Sequence, residues 1–191
     1  MKKKIIITGG LGYIGTELCK LYSGVSWHHK ITVIDSRFKS ERVNQIRNWN
    51  MEFIQGDILD KNLIKRYCED ADVVHHLAGV TDVPRTKSES SKAQDEKIKE
   101  VGERGTQNIL DVIKNDCKII FPSTHVVYEG IDKVKTNIQE NEATKPVLSY
   151  SSSKAVNEDQ LKKSGKNYVI LRLGSVYGYS TDSMRIDIMP N

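Results

Sequence analysis

Short apolar runs alternate along the chain with longer segments of helical periodicity, and this alternation constrains the fold more than any other feature. Several runs are unbroken Val, Ile and Leu, as is typical of parallel strands covered on both faces. Strand–helix–strand units wind right-handed into one sheet, so the sequence predicts an α/β fold with a doubly wound parallel sheet. The predicted strands are Lys4–Ile7, Ile31–Ile34, Glu52–Ile54, Val73–Leu77, Lys118–Phe121 and Tyr168–Leu173, and the predicted helices are Tyr13–Tyr22, Ser40–Arg47, Lys61–Cys68, Lys92–Asn115 and Ser149–Lys163.

Composition excludes several classes of protein. The 191 residues are enough for one domain with a sizeable core. The 29 basic and 25 acidic side chains give a net charge of +4, and no basic cluster is interleaved with aromatic residues, so nucleic acid is not a predicted partner. The apolar run after the N-terminal lysines ends at Thr8, short of the roughly 7–15 residues of a secretion signal. No stretch approaches the roughly 20 apolar residues of a membrane span, so no membrane association is predicted.

Cysteine usage indicates the compartment. The chain has three cysteines, Cys19, Cys68 and Cys117, which lie far apart without a CxxC pair. The sequence therefore predicts neither a disulfide framework nor a zinc site. A reducing compartment is expected, so the protein is predicted to be cytoplasmic.

A glycine-rich turn follows the first predicted strand. Residues 8–15 have the sequence TGGLGYIG, in which a GxGxxG pattern begins at Gly10, and a helical pattern follows at once. Glycines at this spacing allow a tight turn and a close approach of the backbone to a pyrophosphate, while the N-terminus of the helix faces the anion. The glycines could serve a tight turn alone, but the strand before them and the helix after them favour a dinucleotide-binding site.

An acidic residue, Asp35, ends the second predicted strand, twenty positions after Gly15. A carboxylate at this point hydrogen-bonds the ribose hydroxyls of the adenosine and repels a 2′-phosphate. We therefore expect NAD rather than NADP as the cofactor, with Arg37 and Lys39 close enough to weaken the preference.

Two pairs of polar residues supply candidate catalytic groups. Tyr150 and Lys154 form a YxxxK pair, and a spacing of four residues puts both side chains on one helix face, although a surface tyrosine and lysine can share this spacing. An ammonium near a phenol favours the phenolate, which can take a proton from a sugar hydroxyl as hydride leaves the same carbon. Ser123 and Thr124 follow the fifth strand, and ligands bind outside the carboxyl ends of such strands. A hydroxyl there can hold the reacting oxygen beside Tyr150, or it can cap the loop.

The chain resembles the extended short-chain dehydrogenases/reductases. The resemblance rests on three motifs in this order along the chain: the glycine-rich turn, Ser123-Thr124 and the Tyr150–Lys154 pair. More narrowly, they resemble the NAD-dependent epimerase/dehydratase family that acts on nucleotide sugars. The resemblance extends along almost the whole chain and implies a Rossmann-like, three-layer αβα fold. Other similar segments are Gly56–Ile58, His76–Gly79, Pro122–Tyr128, Glu140 with Pro146, and Leu171–Gly178.

The resemblance implies a role for each matching residue. Tyr150 is expected to be the general base, Lys154 to bind the nicotinamide ribose and favour the phenolate, and Thr124 to bind the sugar hydroxyl. Thr124 and Ser175 are expected to bind the substrate, and no metal is expected. The expected cofactor-binding residues are Gly9, Gly12, Tyr13, Ile14, Gly15, Asp35, Asp57, Ile58, Leu77, Ala78, Gly79, Tyr150 and Lys154.

A few positions depart from the family pattern. Dehydratases of the family carry Asp-Glu directly after the threonine, as the acid and base for loss of water, whereas this chain has His125-Val126, which argues against dehydration. Gly102 replaces the asparagine that is usual three residues before Gly105-Thr106, and Ser175 replaces another asparagine near the substrate. The tandem His75-His76 resembles metal ligands, but in this strand it is expected to be a structural variation.

These features lead to one preferred hypothesis and two alternatives. The preferred one is a nucleotide-sugar epimerase, most like the UDP-glucose 4-epimerases, which oxidises the sugar transiently to a 4-keto intermediate with bound NAD and reduces it on the other face. The alternatives are an NAD(P)-dependent nucleotide-sugar reductase or dehydrogenase of the same superfamily and a non-catalytic NAD-binding interaction protein. Net accumulation of NADH would indicate the reductase or dehydrogenase.

Two further expectations concern domains and assembly. Residues 1–178 are expected to form the NAD-binding domain, and 179–191 to begin a truncated substrate-binding region, because family members normally continue into a smaller lobe. The chain is therefore expected to bind NAD but to bind a sugar nucleotide weakly or not at all. Relatives usually pair through the helices predicted at Lys92–Asn115 and Ser149–Lys163, so a homodimer is expected, although the apolar face of the first helix could equally be core.

Overall fold

Six parallel strands form the centre of the structure, a computed structural model that describes residues 2–80, 86–132 and 135–178. The strands are β1 (Lys4–Thr8), β2 (Lys30–Asp35), β3 (Glu52–Gln55), β4 (Val73–His76), β5 (Lys118–Thr124) and β6 (Asn167–Leu173). The helices are α1 (Tyr13–Ser23), α2 (Ser40–Asn48), α3 (Lys61–Cys68), α4 (Lys92–Lys99), α5 (Gly105–Val112) and α6 (Ser149–Lys163). Short 3₁₀ turns lie at Ser26–His28, Lys87–Glu89 and His125–Tyr128. The predicted start of the substrate region, 179–191, lies outside the described residues.

The strand order is β3-β2-β1-β4-β5-β6, which confirms the predicted doubly wound sheet. The chain starts in the centre, winds to one edge, and then crosses back past β1. Thr8 pairs with Ile34 on one side and His76 on the other, so β1, β2 and β4 end side by side. In doubly wound sheets, ligands bind outside the carboxyl ends of the strands at such a reversal of direction.

The unbroken apolar strands follow from a core on each face of the sheet. Successive side chains of a strand point to opposite faces. Ile5 and Ile7 accordingly pack with α1 and α2 residues, whereas Ile6 between them packs with residues of α3, α5 and α6. Both faces of β1 are therefore covered, which an alternating polar pattern would not allow.

The predicted helix Lys92–Asn115 differs most from the structure. It consists of α4, a π-helical turn at Glu100–Arg104 and α5, and it ends at Val112. Ile113 has already turned to extended geometry, but its side chain stays buried, so the apolar periodicity continues one residue past the helix. The other predicted helices and strands are confirmed to within two residues at their ends, except that β5 continues through Thr124.

The three cysteines are buried free thiols. Burial raises the pKa of Cys19 and of Cys68 to about 12 and that of Cys117 to about 11. The thiols therefore stay protonated at neutral pH and act as small apolar core residues.

None of the helices in the described part of the chain is long and apolar enough to cross a bilayer.

Candidate active site

The glycine-rich turn between β1 and α1 has no room for side chains at several positions. Gly9 has φ +70°, and a Cβ atom there would lie 2.6 Å from the backbone nitrogen of Ala78. A Cβ on Gly15 would lie 2.4 Å from the carbonyl oxygen of Gly9, and one on Gly10 would lie 2.2 Å from the side chain of Val33. The glycines thus permit both the turn itself and the close packing of α1 on the sheet.

The N-terminus of α1 faces the space above the turn. Its N-cap is Gly12, no side chain among the described residues caps it, and its first turn holds no acidic residue. Tyr13 turns its hydroxyl to the carbonyl oxygen of Gly178 at 2.6 Å, and Ile14 is partly exposed. Uncapped N–H groups at the positive end of a helix dipole suit a diphosphate.

Asp35 ends β2 beside this turn and is almost fully buried. One carboxylate oxygen accepts a hydrogen bond from the Leu11 backbone N–H at 2.9 Å, and the other accepts one from the Arg37 backbone N–H at 3.0 Å. The guanidinium of Arg37 also donates to both oxygens, at 3.2 and 3.3 Å. The Asp35 side chain is 4% exposed and that of Arg37 is 54% exposed, so a ligand could reach the carboxylate only by displacing the guanidinium.

The segments after β3 and β4 complete the edge of the crevice. Asp57 is exposed, and its carboxylate accepts from the Leu59 backbone N–H at 2.9 Å. Ile58 is buried in the core, and its carbonyl oxygen accepts from the Asn108 amide at 3.0 Å. The segment after β4 begins with Leu77, Ala78 and Gly79. At Gly79 a Cβ would meet only open space.

Tyr150 and Lys154 lie on consecutive turns of α6, and both line a small depression with Ala78 and Gly79. The Lys154 ammonium lies 5.9 Å from the centre of the Tyr150 ring and donates to the Pro122 carbonyl oxygen at 2.8 Å. Burial lowers the pKa of Lys154 to about 8, although Glu158 acts in the opposite direction. The pair therefore lies beside the β4 segment, at the same edge of the sheet as the glycine-rich turn.

The two hydroxyls after β5 have different partners. The Thr124 hydroxyl oxygen accepts from the Val126 backbone N–H at 3.3 Å and so caps the 3₁₀ turn that follows. Ser123 donates to Glu158 at 2.6 Å. Ser123 is therefore part of the scaffold. His125, directly after it, is exposed and lies 3.2 Å from the carbonyl oxygen of Leu173.

A buried ion pair behind Ser123 was missed by sequence reasoning. Glu158 accepts two hydrogen bonds from Arg172, at 2.9 and 2.6 Å, and Arg172 also donates to Tyr128 and to the Glu140 carbonyl. Burial alone would raise the pKa of Glu158, but the hydrogen bonds from Arg172 and Ser123 outweigh it and hold the pKa below its ordinary value. An arginine within the apolar run of the last strand was the signal that could have revealed this pair.

The tandem histidines have structural partners. His76 lies with one ring nitrogen 2.9 Å from the Thr8 hydroxyl and the other 3.0 Å from the Thr106 hydroxyl, and His75 lies 2.8 Å from the Tyr22 hydroxyl. Burial lowers the pKa of His75 to about 4 and that of His76 to about 3, so both are neutral at pH 7. Within the described ranges, no cluster of three His, Cys, Asp or Glu side chains could hold a metal ion.

The substitution at Gly102 is accommodated by α6. Gly102 lies in the π-helical turn, and a Cβ there would lie 2.3 Å from the hydroxyl oxygen of Ser153. The buried amide of Asn157 donates to the Gly102 carbonyl at 3.1 Å, and Gln160 donates to the next carbonyl, that of Glu103, at 3.0 Å. The amides of α6 thus bind the turn where the family usually has an asparagine. The other substituted position, Ser175, is exposed after β6.

Comparison with known proteins agrees with this geometry. Residues 5–189 match the NAD dependent epimerase/dehydratase family. The dTDP-D-glucose 4,6-dehydratase of Dictyostelium discoideum is 30% identical, over 92% of this chain and 44% of its own length. The CDP-paratose 2-epimerase of Salmonella typhi is 31% identical, over 92% of this chain and 58% of its own length. The chain therefore spans about half the length of these relatives.

A solved structure shares both fold and cofactor class. The UDP-glucose 4-epimerase from Brucella ovis, in complex with NAD, aligns with a TM-score of 0.73 and 25% identity, covering 98% of this chain and 57% of that one. This chain combines the strand order, the glycine-rich turn and the helix that carries Tyr150 and Lys154. The family match covers nearly every described residue. The chain belongs to the NAD dependent epimerase/dehydratase family.

Proposed function

We propose that the protein is a nucleotide-sugar epimerase, acting at C4 of a UDP- or other nucleoside-diphosphate sugar. The observation that carries this proposal is the position of Tyr150 and Lys154 on consecutive turns of α6 beside Ala78 and Gly79. Thr124 ends β5, two residues beyond the carbonyl that Lys154 binds. A base, a cation and a hydroxyl are thus gathered at the edge where parallel sheets bind their ligands.

The residues present fit NAD. The uncapped N-terminus of α1 and the crowded glycines suit the diphosphate, Asp35 suits the adenosine ribose, and Gly79 leaves its backbone open to a ligand. Lys154 would reach the nicotinamide ribose by exchanging its bond to the Pro122 carbonyl for ribose hydroxyls. Bound NAD would supply a hydride acceptor that later returns the hydride to the same carbon.

Proton transfer falls to Tyr150. Its phenolate takes the proton of the sugar hydroxyl as C4 is oxidised to the ketone, and the Lys154 ammonium stabilises the phenolate. Thr124 holds the reacting oxygen by a hydrogen bond. After the 4-keto sugar presents its other face, Tyr150 returns the proton to the oxygen, so that the sugar is inverted and no net NADH forms.

Dehydration, the reaction named for the Dictyostelium relative, is less consistent with the site. His125-Val126 stands where dehydratases of the family carry Asp-Glu. The neighbouring carboxylates are engaged: Glu158 by Arg172 and Ser123, and Glu129 by backbone N–H groups. These contacts favour epimerisation.

Domain, assembly and compartment are proposals as well. We propose that residues 1–178 carry NAD binding and that 179–191 begin the substrate region. The apolar face of the α4–α5 segment is used within the protomer, because Ile98 and Ile109 are buried there. The proposed homodimer therefore rests on the family resemblance alone. The proposed cytoplasmic location rests on the cysteine pattern.

Screening nucleotide sugars tests the proposal. The intact protein, with any substrate-binding lobe that follows residue 191, is incubated with UDP-, dTDP-, GDP- and CDP-sugars, and products are followed by NMR and by absorbance at the NADH band. We expect two sugars to interconvert without net NADH, and Tyr150→Phe to abolish this while Tyr168→Phe, a matched control at the far end of β6, does not. Net NADH would instead identify a dehydrogenase, loss of water a dehydratase, and turnover unaffected by Tyr150→Phe would refute the catalytic assignment.

A further inference from the structure

The helix that carries Tyr150 caps its own N-terminus only through Ser151, whose hydroxyl oxygen accepts from the Leu148 backbone N–H at 3.2 Å. The N-cap of α6 is Leu148, whose side chain has no oxygen, and the first turn contains no acidic residue. Tyr150 is the second residue of this helix. An N-cap side chain without an oxygen leaves the first turn weakly capped, so groups outside the helix add to the placement of the phenol.

Glu129 supplies one of these groups from across the long polar loop. A single carboxylate oxygen of Glu129 accepts hydrogen bonds from the backbone N–H groups of Val147 and Leu148, both at 2.7 Å. The Ser151 hydroxyl, one residue beyond Tyr150, donates to the same oxygen. Burial of Glu129 acts to raise its pKa, but these three bonds outweigh it and hold the pKa below its ordinary value, so the group is ionised at neutral pH.

Asp95 supplies the second group, from α4. The Ser90 hydroxyl donates to Asp95 at 2.6 Å, and interactions with Ser90 and with Ser149 both lower the pKa of Asp95. Ser149 immediately precedes Tyr150. The residues on either side of the tyrosine thus each interact with a carboxylate from a different part of the fold, Ser151 with Glu129 and Ser149 with Asp95.

The loop that carries Glu129 is closed tightly at its base. The Gly130 backbone N–H donates to the Lys145 carbonyl at 2.8 Å, and the Lys145 N–H donates to the Val127 carbonyl at 2.7 Å. A Cβ on Gly130 would lie 2.6 Å from the Lys145 carbonyl oxygen. Since Glu129 directly follows the 3₁₀ turn that Thr124 caps, its carboxylate links the end of β5 to the start of α6.

We propose that Glu129 and Asp95 are positioning residues that hold Tyr150 at a fixed distance from Thr124 and from the cofactor. They touch neither substrate nor cofactor, and they act through Ser149, Ser151 and the backbone that enters α6. This inference rests on the proposed function for its catalytic consequence. Its structural part, the fixed start of α6, can be measured independently.

Alanine and conservative variants test the inference in the intact protein. The set is Glu129→Ala, Asp95→Ala, their combination, and Glu129→Gln, which keeps an acceptor oxygen. Glu142→Ala is the matched control, because Glu142 lies in the same loop and pairs with Lys135 at 2.6 Å. Each single alanine variant is expected to lower kcat about 10-fold, and the combination about 100-fold, with KM and the NAD dissociation constant changed less than about threefold. Glu129→Gln is expected to recover most of the loss.

Amide hydrogen exchange over residues 145–152 gives a readout that does not need turnover. We expect faster exchange there in the alanine variants and no change in the control, with NAD binding showing that each variant is folded. Exchange and kcat equal to those of Glu142→Ala would overturn the inference, and so would equal losses in kcat and NAD affinity. If no nucleotide sugar is turned over by the wild type, the proposed function fails, and the exchange data alone then decide whether the two carboxylates fix the start of α6.

Discussion

The ammonium of Lys154 lies 5.9 Å from the centre of the Tyr150 ring, with the Pro122 carbonyl oxygen, 2.8 Å away, as its acceptor. Lys154 is thereby held between β5 and the tyrosine, and burial there lowers its pKa to about 8. The arrangement keeps a cation beside the phenol before any ligand arrives. It also has consequences for stability that can be measured on the protein without cofactor.

Lys154→Met is expected to be more stable than the wild type at pH 7 and to lose that advantage by pH 10. Between about 8 and 10.5 the unfolded lysine binds a proton that the folded one has lost. The free energy of unfolding of the wild type therefore rises with pH through this window, and below it the full cost of burying the charge remains. Urea unfolding of both proteins at pH 7 and pH 10 measures the difference. A difference independent of pH would show that the pKa of Lys154 is not lowered.

Arg37→Ala is expected to tighten NAD binding and to weaken NADP binding. The variant leaves the Asp35 carboxylate without its guanidinium partner, so ribose hydroxyls meet no competitor and a 2′-phosphate meets an uncompensated negative charge. An ion pair with one exposed partner contributes up to about 1 kcal/mol, so we expect changes of up to about fivefold in each affinity. Calorimetric titration measures both affinities, with Arg47→Ala, an exposed arginine of α2, as the control. Parallel changes for NAD and NADP would contradict this role.

Asp35→Ala is expected to weaken NAD binding and relax discrimination against NADP. Because Asp35 also accepts from the Leu11 N–H, the alanine variant loosens the glycine-rich turn as well. Asp35→Asn retains a hydrogen-bond acceptor oxygen and the shape of the side chain. Titrating both variants with NAD and NADP therefore separates loss of the charge from loosening of the turn. Unchanged NAD affinity in Asp35→Ala would exclude a role for the carboxylate in ribose binding.

Gly102→Ala is expected to destabilise the fold by about 1–3 kcal/mol, as overpacking of a tight contact does. The added Cβ would meet the Ser153 hydroxyl oxygen at 2.3 Å but the Ser153 Cβ only at 3.6 Å. Ser153→Ala removes the hydroxyl, so the same glycine substitution is expected to cost much less in that background. Urea unfolding of the four proteins in a double-mutant cycle gives the coupling energy. Equal costs in both backgrounds would show that Ser153 does not set the space at Gly102.

Acidification below pH 6.5 is expected to destabilise the protein through His75 and His76. The folded pKa values are lowered to about 4 and about 3, while the unfolded histidines titrate at 6.5, so the unfolded chain binds more protons in this window. The free energy of unfolding then falls by up to about 1.4 kcal/mol per pH unit for each histidine. His76→Gln is expected to reduce the slope between pH 6.5 and 5, measured by urea unfolding. An unchanged slope would show that His76 is protonated in the folded protein.

The strands and helices could be predicted because they depend on local patterns. Ile5, Ile6 and Ile7 are consecutive apolar residues, and a strand covered on both faces needs that run. The glycine-rich turn could also be predicted from the sequence, since Gly9 and Gly15 are required by backbone contacts that any such turn makes. The π-helical turn could not be predicted, because it occurs where α6, from a distant part of the chain, packs against Gly102.

The sequence by itself determined the order of strands and helices, the phosphate-binding turn and the Tyr150–Lys154 spacing, because each depends on residues a few positions apart. Only the tertiary structure decided which polar groups meet. Glu158 pairs with Arg172, Arg37 folds onto Asp35, and Glu129 binds the residues that enter α6. Such pairings depend on how close the folded chain brings distant side chains and on how little water surrounds them, and neither can be seen in residue spacing.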